Sequence, residues 1–327
     1  TLADLLAPQK SFSDFENRYL KQRPSPTLKT VFNGSFASNY ESYLNDQFLF
    51  RNSWISLKSY GESALFKVEN NGVVYGKHDR LFEKYQSFSE EQLKKNLTHL
   101  KAFLERHPSS TFAIVPSSYT VYPQDLPAGL QQVDQSAGIE TIRQELSDTA
   151  ENLDLLTLLQ KQQSESLYYR TDHHWTQLGA YYAYTAFCEA AGFEAVPLEQ
   201  FQTGRYDTFL GSMYGFTEGY PQSEVLKQHP DYLEYYLPIA DTHARYYANG
   251  NLENGTPVSV VYTELGDSVS NKYLCFIGGD TPICIVESDV PGPTCIVLKE
   301  SYGNAFVPFL TSHYGRIIVI DPREFNR

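Results

Sequence analysis

The sequence predicts an α/β protein with a central, largely parallel sheet flanked by helices, and three observations point there. The last sixty residues of the 327-residue chain hold short apolar runs bounded by turn residues: "KYLCFIGG", "ICIVES", "TCIVLKE" and "RIIVIDPREF". Runs that are apolar at successive positions suit strands buried on both faces. Amphipathic helical stripes precede and interleave with such runs, which is the pattern of a sheet covered by helices. Finally, no internal repeat or low-complexity segment suggests a solenoid or a fibrous chain.

Taken in order, residues 1–60 are polar and aromatic, with short helical periodicity in "FENRYLKQR" and "SYLNDQFLFRNSWISLKSY". They read as an N-terminal helical extension packed on the rest. "VENNGVVYGKHDRLFEK" places Asn-Gly between β-rich flanks, a hairpin signal. In residues 89–107 Leu93, Leu97, Leu100 and Leu104 share one face behind a Ser with acids in the first turn, which predicts a helix. "STFAIVP" reads as a buried strand ending at Pro116, "SAGIETIRQELSDTAE" as a second helix, and "LDLLTLLQKQQ" as a short strand or helix. From Thr176 to Ala191, Leu178, Tyr182 and Ala186 form a helical stripe. Residues 198–265 are rich in Gly, Tyr and Thr, lack helical periodicity, and read as an irregular or β-hairpin insertion. The whole, 1–327, is expected to be a single α/β domain.

Composition narrows the function. With 41% hydrophobic residues, including 25 Tyr and 20 Phe, there is ample material for a core. The net charge of −13 excludes nucleic acid as the natural partner, because phosphate binding draws on clustered Lys and Arg. It also argues against docking on anionic lipid. No apolar stretch reaches the roughly 18 residues that cross a bilayer, and since the chain starts at Thr1, an N-terminal signal or anchor is expected to have preceded it. Cys188, Cys275, Cys284 and Cys295 are too few for a disulfide scaffold and read as buried thiols. No CxxC spacing offers a thiolate zinc site, and no cofactor or metal is expected.

Three stretches carry chemistry. "YYRTDHHWTQLGAYYAY", residues 168–184, sets Asp172, His173, His174 and Trp175 in a row. Adjacent histidines diverge in extended or helical backbone, which disfavours a metal pair. Asp172 and His174, one residue apart, point to the same side of an extended segment, so the carboxylate reaches the imidazole. An Asp on one ring nitrogen fixes the tautomer and leaves the other as a base. The bland reading is a capping Asp and a packed His at a helix entrance. His173 is expected to point away into packing or solvent, with Trp175 and Leu178 wedging the following helix in place.

In "TCIVLKESYGNAFVPFL", residues 294–310, Ser301 sits between an apolar strand and an apolar helical segment, at the sheet edge where α/β folds place ligands. It is either a nucleophile beside oxyanion-stabilising N–H groups or an ordinary N-cap. In "FIGGDTP", Gly278 and Gly279 end a further apolar run; they either expose N–H donors to a ligand or form a plain turn.

These stretches resemble the DHHW family of bacterial surface proteins. The resemblance lies in "YYRTDHHWTQLGAYYAY" and "LKESYGNAFVPFL…IDPREF", with "DQFLFRNSWISLK", "NGVVYGKHDRLFE" and "VPSSYTVYPQDLP" fitting the N-terminal half. The family is similar to the alginate O-acetylation proteins, which implies an SGNH-hydrolase-like fold. The resemblance further implies that Ser301 is the nucleophile, His174 the base and Asp172 its orienter, within hydrogen-bond reach of one another. It also implies O-acetyl transfer or ester hydrolysis on a cell-surface polysaccharide, an extracytoplasmic location, and a membrane-bound acyltransferase as partner.

Two residues depart from the family pattern. Glu300 stands where the family has Asp before the serine, and Asp280 where an Asn is expected after the glycines. Ionised Asp cannot donate to an oxyanion, so Gly279 N–H or Tyr302 N–H is the expected substitute, or the protein binds glycan without turning it over. Arg170 offers a charge to a substrate anion or pairs with an acid, and the tyrosines of 206–247 suit sugar stacking or a β core.

Overall fold

A computed structural model describes residues 8–13, 18–217, 220–248, 250–266 and 269–325. Phe12–Ser13 and Arg18–Tyr19 form a short antiparallel pair, followed by helices Leu28–Phe32, Ser35–Gln47 and Arg51–Ala64. Of the helical periodicity read in 15–23, residues 15–17 lie outside the described residues, and Arg18–Tyr19 is strand. The Asn-Gly hairpin is present: Asn71 and Gly72 both take positive φ (49° and 81°), which suits a tight turn between Glu69–Asn70 and Val73–Tyr75. Leu81–Glu83 pairs as the third strand of that sheet.

The amphipathic segment at 89–107 is a helix, Glu90–Arg106, whose N-cap Ser89 accepts the Gln92 N–H at 3.2 Å. Thr111–Ala113 pairs in parallel with Glu151–Leu153. Helices Gln135–Leu146 and Leu155–Lys161 start at Asp134 and Asp154, whose carboxylates accept the N–H three residues on. "LDLLTLLQKQQ" is thus mainly helix. Helix α1, Gln177–Ala191, opens at Thr176, which accepts the Gly179 N–H, and closes at Gly192 with φ 74°.

Residues 198–265 are more ordered than expected. Thr203–Phe209 and Asp231–Tyr236 pair antiparallel, and helices Ser212–Thr217 and Pro221–Gln228 lie between them. Helices of six and eight residues are too short to leave a readable period. The stretch also supplies β1 (Thr242–Tyr247) and β2 (Thr256–Val258), which join the main sheet.

That sheet is completed by β3 (Ile283–Ser288), β4 (Thr294–Leu298), helix α2 (Gly303–Leu310) and β5 (Arg316–Ile320). Among the described residues it has five strands in the order β2-β1-β3-β5-β4. The expected largely parallel arrangement is corrected here: within this sheet β4–β5 is the parallel pair and the other three pairings are antiparallel. Parallel neighbours need a crossover of a dozen residues or so; α2 supplies it between the paired strands β4 and β5, whereas residues 289–293 between β3 and β4 are too few. Apolar runs reveal burial, and burial does not reveal strand direction.

"KYLCFIGG" is also corrected. Lys272–Cys275 is a 3-10 turn capped by Asn271, whose Oδ1 accepts the Tyr273 N–H at 3.2 Å. Ile277, Gly278 and Gly279 then take φ of 48°, 77° and 92°, so the chain turns there instead of extending.

The inner face of the sheet, with Ala244, Cys284, Val286, Ile317 and Val319, packs against α1 and α2. Tyr184 of α1 stacks on Phe309 of α2 at 5.3 Å, and both are buried. This contact seats the loop before α1 beside the loop before α2, and so brings residues 127 positions apart into one place.

Candidate active site

Residues 170–174 form a run of bends closed by a bridge between Tyr168 and Trp175. Within it Asp172 accepts the His174 N–H through Oδ1 at 3.0 Å, a side-chain turn that folds the imidazole back over its own carboxylate. His174 Nδ1 lies 2.6 Å from the same oxygen. The other oxygen, Oδ2, accepts the Ser212 N–H at 2.8 Å and the Ser212 hydroxyl at 2.9 Å. Gly211 allows that approach: a Cβ there would stand 2.2 Å from the Asp172 Cβ.

Across the gap, Ser301 Oγ lies 2.8 Å from His174 Nε2. The imidazole is stacked on the Tyr273 ring at 3.9 Å and 12°, which fixes its plane. The serine loop is anchored to the histidine loop at two points: Trp175 Nε1–H donates to Tyr302 O at 2.9 Å, and the Tyr302 hydroxyl donates to His173 O at 2.6 Å. Trp175 thus holds the serine turn as well as seating α1.

The electrostatics suit a resting base. Burial works to raise the Asp172 carboxyl, but His174, His173 and the Ser212 N–H outweigh it and hold the group well below the usual carboxylate range. Burial pushes His174 below its ordinary value, against the pull of Asp172, so the ring rests neutral beside an ionised acid. Nδ1–H then donates to Asp172, and Nε2 is left to accept from the Ser301 hydroxyl. Such an arrangement can draw a proton from Ser301 as its oxygen attacks an electrophile.

The expected oxyanion donors are differently placed. Gly279 N–H donates to Phe276 O at 3.0 Å within its own turn. Tyr302 N–H donates to Glu300 Oε2 at 3.2 Å, and that carboxylate oxygen also lies 3.4 Å from Ser301 Oγ. Burial raises the Glu300 carboxyl despite the Tyr302 N–H. Asp280 is part of a charge network: Lys299 Nζ reaches it at 2.7 Å and Asp321 at 3.1 Å, Arg323 bonds both acids, and Asn304 Nδ2 donates to Asp280 Oδ1 at 2.9 Å. Burial works to raise the Asp280 carboxyl, but Lys299, Asn304 and Arg323 together hold it low. Its charge is therefore balanced by Lys299 and Arg323.

Arg170 is turned away from Ser301. Its Nε donates to Asp231 Oδ1 at 3.0 Å and its Nη2 to His229 O at 2.6 Å. Asp231 Oδ2 also accepts the Arg170 and Thr171 N–H groups and the Thr171 hydroxyl, which fixes the start of the histidine loop. His173 does not diverge from His174: the rings are 3.9 Å apart, and His173 Nδ1 meets the Ser212 hydroxyl at 2.9 Å. The bends make neighbouring side chains converge, where extended or helical backbone would separate them.

Asp172, His173 and His174 could crowd a cation, as could Asp280, Asp321 and Glu324. In the first group the facing atoms are hydrogen-bonded to one another, to Ser212 or to Ser301, and in the second Lys299 and Arg323 stand among the acids. Most tyrosines of 206–247 serve the core: Tyr220, Tyr235 and Tyr236 are buried, Tyr206, Tyr214 and Tyr246 are partly buried against core residues, and Tyr232 is half exposed. All four cysteines are free thiols; Cys188, Cys275 and Cys284 are buried and Cys295 partly so. Sequence reasoning missed Ser212, Gly211 and Tyr273. A Gly-Ser pair at the start of a short helix in "FLGSM" was the available signal, and it does not stand out from other loop glycines.

The model of the family described as DHHW protein matches residues 69–320. A DHHW family protein from Eubacterium siraeum is 30% identical, with a TM-score of 0.65 over 80% of this chain and 86% of that one. PatB1 from Bacillus cereus shares the fold, with a TM-score of 0.61 at 17% identity over 78% of this chain and 88% of that one. The probable alginate O-acetylase AlgJ of Pseudomonas syringae pv. tomato is 29% identical over 246 residues, 69% of this chain. The match spans 59% of that relative's length.

Proposed function

The chain belongs to the DHHW protein family, and from that premise we propose that it transfers or hydrolyses O-acyl groups, acetyl foremost, on a bacterial cell-surface polysaccharide. One observation carries the chemistry: the continuous path from Asp172 Oδ1 through His174 to Ser301 Oγ, at 2.6 and 2.8 Å. Acetyl and polysaccharide rest on the similarity to a protein named a probable alginate O-acetylase.

In this reading Ser301 Oγ bonds to the acyl carbonyl carbon while its proton passes to His174 Nε2. The intermediate collapses, the leaving alkoxide takes that proton, and the acyl group stays on Ser301. A sugar hydroxyl or water then gives its proton to the same nitrogen and attacks the acyl-enzyme, and Ser301 leaves and recovers the proton. Asp172 stabilises the imidazolium through both halves. Movement of Glu300 off the Tyr302 N–H would release that donor for the oxyanion. An extracytoplasmic site of action and a membrane-bound acyltransferase as source of acyl groups complete the proposal. Among the described residues no helix is long and apolar enough to cross a membrane.

The test is hydrolysis of a chromogenic acetyl ester by the parent and Ser301→Ala. Release well above background by the parent, lost in the variant, supports the proposal; equal rates sink it. Equal rates would favour a second reading, a glycan-binding or assembly protein with an unreactive site. What speaks for that reading is Glu300, whose carboxylate occupies the Tyr302 N–H beside Ser301.

A further inference from the structure

The helix Arg51–Ala64 is amphipathic the wrong way round. Its inward face is largely polar: Ser59 is fully buried, its hydroxyl within 3.0 Å of Ile55 O and 3.1 Å of Asn70 Oδ1, with Ile55, Ser56, Glu62 and Ser63 half-buried beside it. Its outward face is apolar. Trp54 and Leu57 are 58% and 61% exposed on the helix, Phe50 and Leu65 at its two ends 72% and 73%, and Tyr60 lies on the same side. These positions recur at helical spacing, so they form one stripe and not scattered exceptions. Isolated apolar residues on a surface need no explanation, but a continuous stripe turned to water costs free energy until something covers it.

The charge around the stripe indicates what covers it. Residues 21–68 contain Lys21, Arg23, Lys29, Arg51, Lys58 and Lys67 against Glu41, Asp46 and Glu62, a balance of +3 in a chain of −13, leaving −16 elsewhere (−13 − 3). An exposed Trp, Phe, Leu and Tyr face on a segment of net positive charge is the composition of helices that lie in the headgroup region of a membrane. Lys58 Nζ donates to Asn71 Oδ1 at 3.0 Å and lies 3.9 Å from Glu62, yet its side chain is 55% exposed, so on docking the ammonium can turn to the lipid phosphates. We propose that this face docks in the plane of an anionic lipid bilayer, with Trp54, Leu57 and Leu65 entering the headgroup–acyl boundary. The acidic balance of the whole chain hid this, because charge summed over 327 residues says nothing of one helix.

Docking would also orient Ser301. Ser59 is bonded to Asn70 of the hairpin, and Leu81 of the same small sheet donates its N–H to Arg170 O at 2.8 Å, one residue from the Thr171–Asp172 turn. The inference itself does not depend on any chemistry at Ser301.

The chain supplies its own reporter. Of its two tryptophans, Trp175 is buried and bonded to Tyr302 O, so a change in tryptophan emission on mixing with lipid reports Trp54. The full chain is mixed with vesicles of phosphatidylcholine alone or containing phosphatidylglycerol, and emission and co-sedimentation are followed. The expected result is a blue shift and sedimentation with the anionic vesicles, at least about tenfold weaker without phosphatidylglycerol. Leu57→Glu with Leu65→Glu should lower the partition at least about tenfold at an unchanged Tm, since both side chains are already in water. No shift with either vesicle, or equal binding to both, overturns the proposal. So does a concentration-dependent dimer that Leu57→Glu disperses in the absence of lipid binding, which would assign the face to a second copy of the chain.

Discussion

Replacing Asp172 by Asn tests the path from carboxylate to serine most sharply, because the side chain keeps its shape and loses its charge. Asp172 is 3% exposed and accepts four hydrogen bonds, two from His174 on Oδ1 and two from Ser212 on Oδ2. An amide has one oxygen to accept with. If that oxygen faces His174, the NH2 opposes the Ser212 N–H. If it faces Ser212, the NH2 points at His174 Nδ1, and the ring must carry its proton on Nε2, toward Ser301. Either arrangement leaves a buried N–H without a partner, that of Ser212 in the first and that of His174 in the second, at a cost of about 1–3 kcal/mol. The second removes the base. The expected fall in kcat on an activated acetyl ester is about 10³–10⁴-fold, the size seen where an Asp-to-Asn change reverses a histidine tautomer. That corresponds to about 4–5.5 kcal/mol at 1.36 kcal/mol per decade.

The pH profile carries a second readout. Burial holds His174 below its ordinary value, so protonation of the base, and loss of activity, should set in only on the acid side of about 6.5. Asp172 opposes that depression, so removing its charge should move the acid limb of any residual activity lower still. The reasoning is refuted if Asp172→Asn, shown to be folded by circular dichroism, keeps kcat within about threefold of the parent with an unmoved acid limb.

Three further outcomes are expected. Arg170→Ala should destabilise the fold by about 2 kcal/mol through the loss of the Asp231 pair, with KM for a soluble ester unchanged; a raised KM at unchanged Tm would place Arg170 at the substrate. Gly211→Ala puts a methyl 2.2 Å from the Asp172 Cβ, so thermal unfolding should drop by roughly 3–10 °C, from about 1–3 kcal/mol of overpacking, and esterase activity should fall with it. Glu300→Gln removes a negative charge 3.4 Å from Ser301 Oγ, and kcat should rise about threefold or more; a fall would give Glu300 a positive part in the reaction.

The sequence was most legible where a local rule decides the structure. Asn71-Gly72 predicts its hairpin, Ser89 its helix start, and Leu93, Leu97, Leu100 and Leu104 their inward stripe, half-buried at the first three and buried at Leu104, because each depends on neighbours within a turn or two. Sheet direction was not legible: β3, β4 and β5 are alike in composition, and β1 and β3 pair antiparallel although residues 248–282 lie between them, so neither composition nor connection length decides direction. "KYLCFIGG" misled because apolar content suits a buried turn as well as a strand, and positive φ at Ile277 has no signature in the sequence.

At the candidate site, Asp172, His174 and Ser301 were expected from residue type, motif and family resemblance, and the structure brings the three side chains together. Ser212, Gly211 and Tyr273 were not, since their contacts with Asp172 and His174 arise from packing between distant segments. The roles of Gly279 and Tyr302 N–H groups depend on Phe276 and Glu300, which are close in sequence, yet the turn geometry that joins them is not written there.

The central claim, that Ser301 carries the acyl group, is tested most directly by quenching the protein during turnover of an acetyl donor and locating the modification by intact-mass and peptide mass spectrometry. One added acetyl group per chain is expected, mapped to Ser301, absent in Ser301→Ala and greatly reduced in His174→Ala. Continued turnover with Ser301 unmodified, or with the acetyl group on another residue, would contradict it.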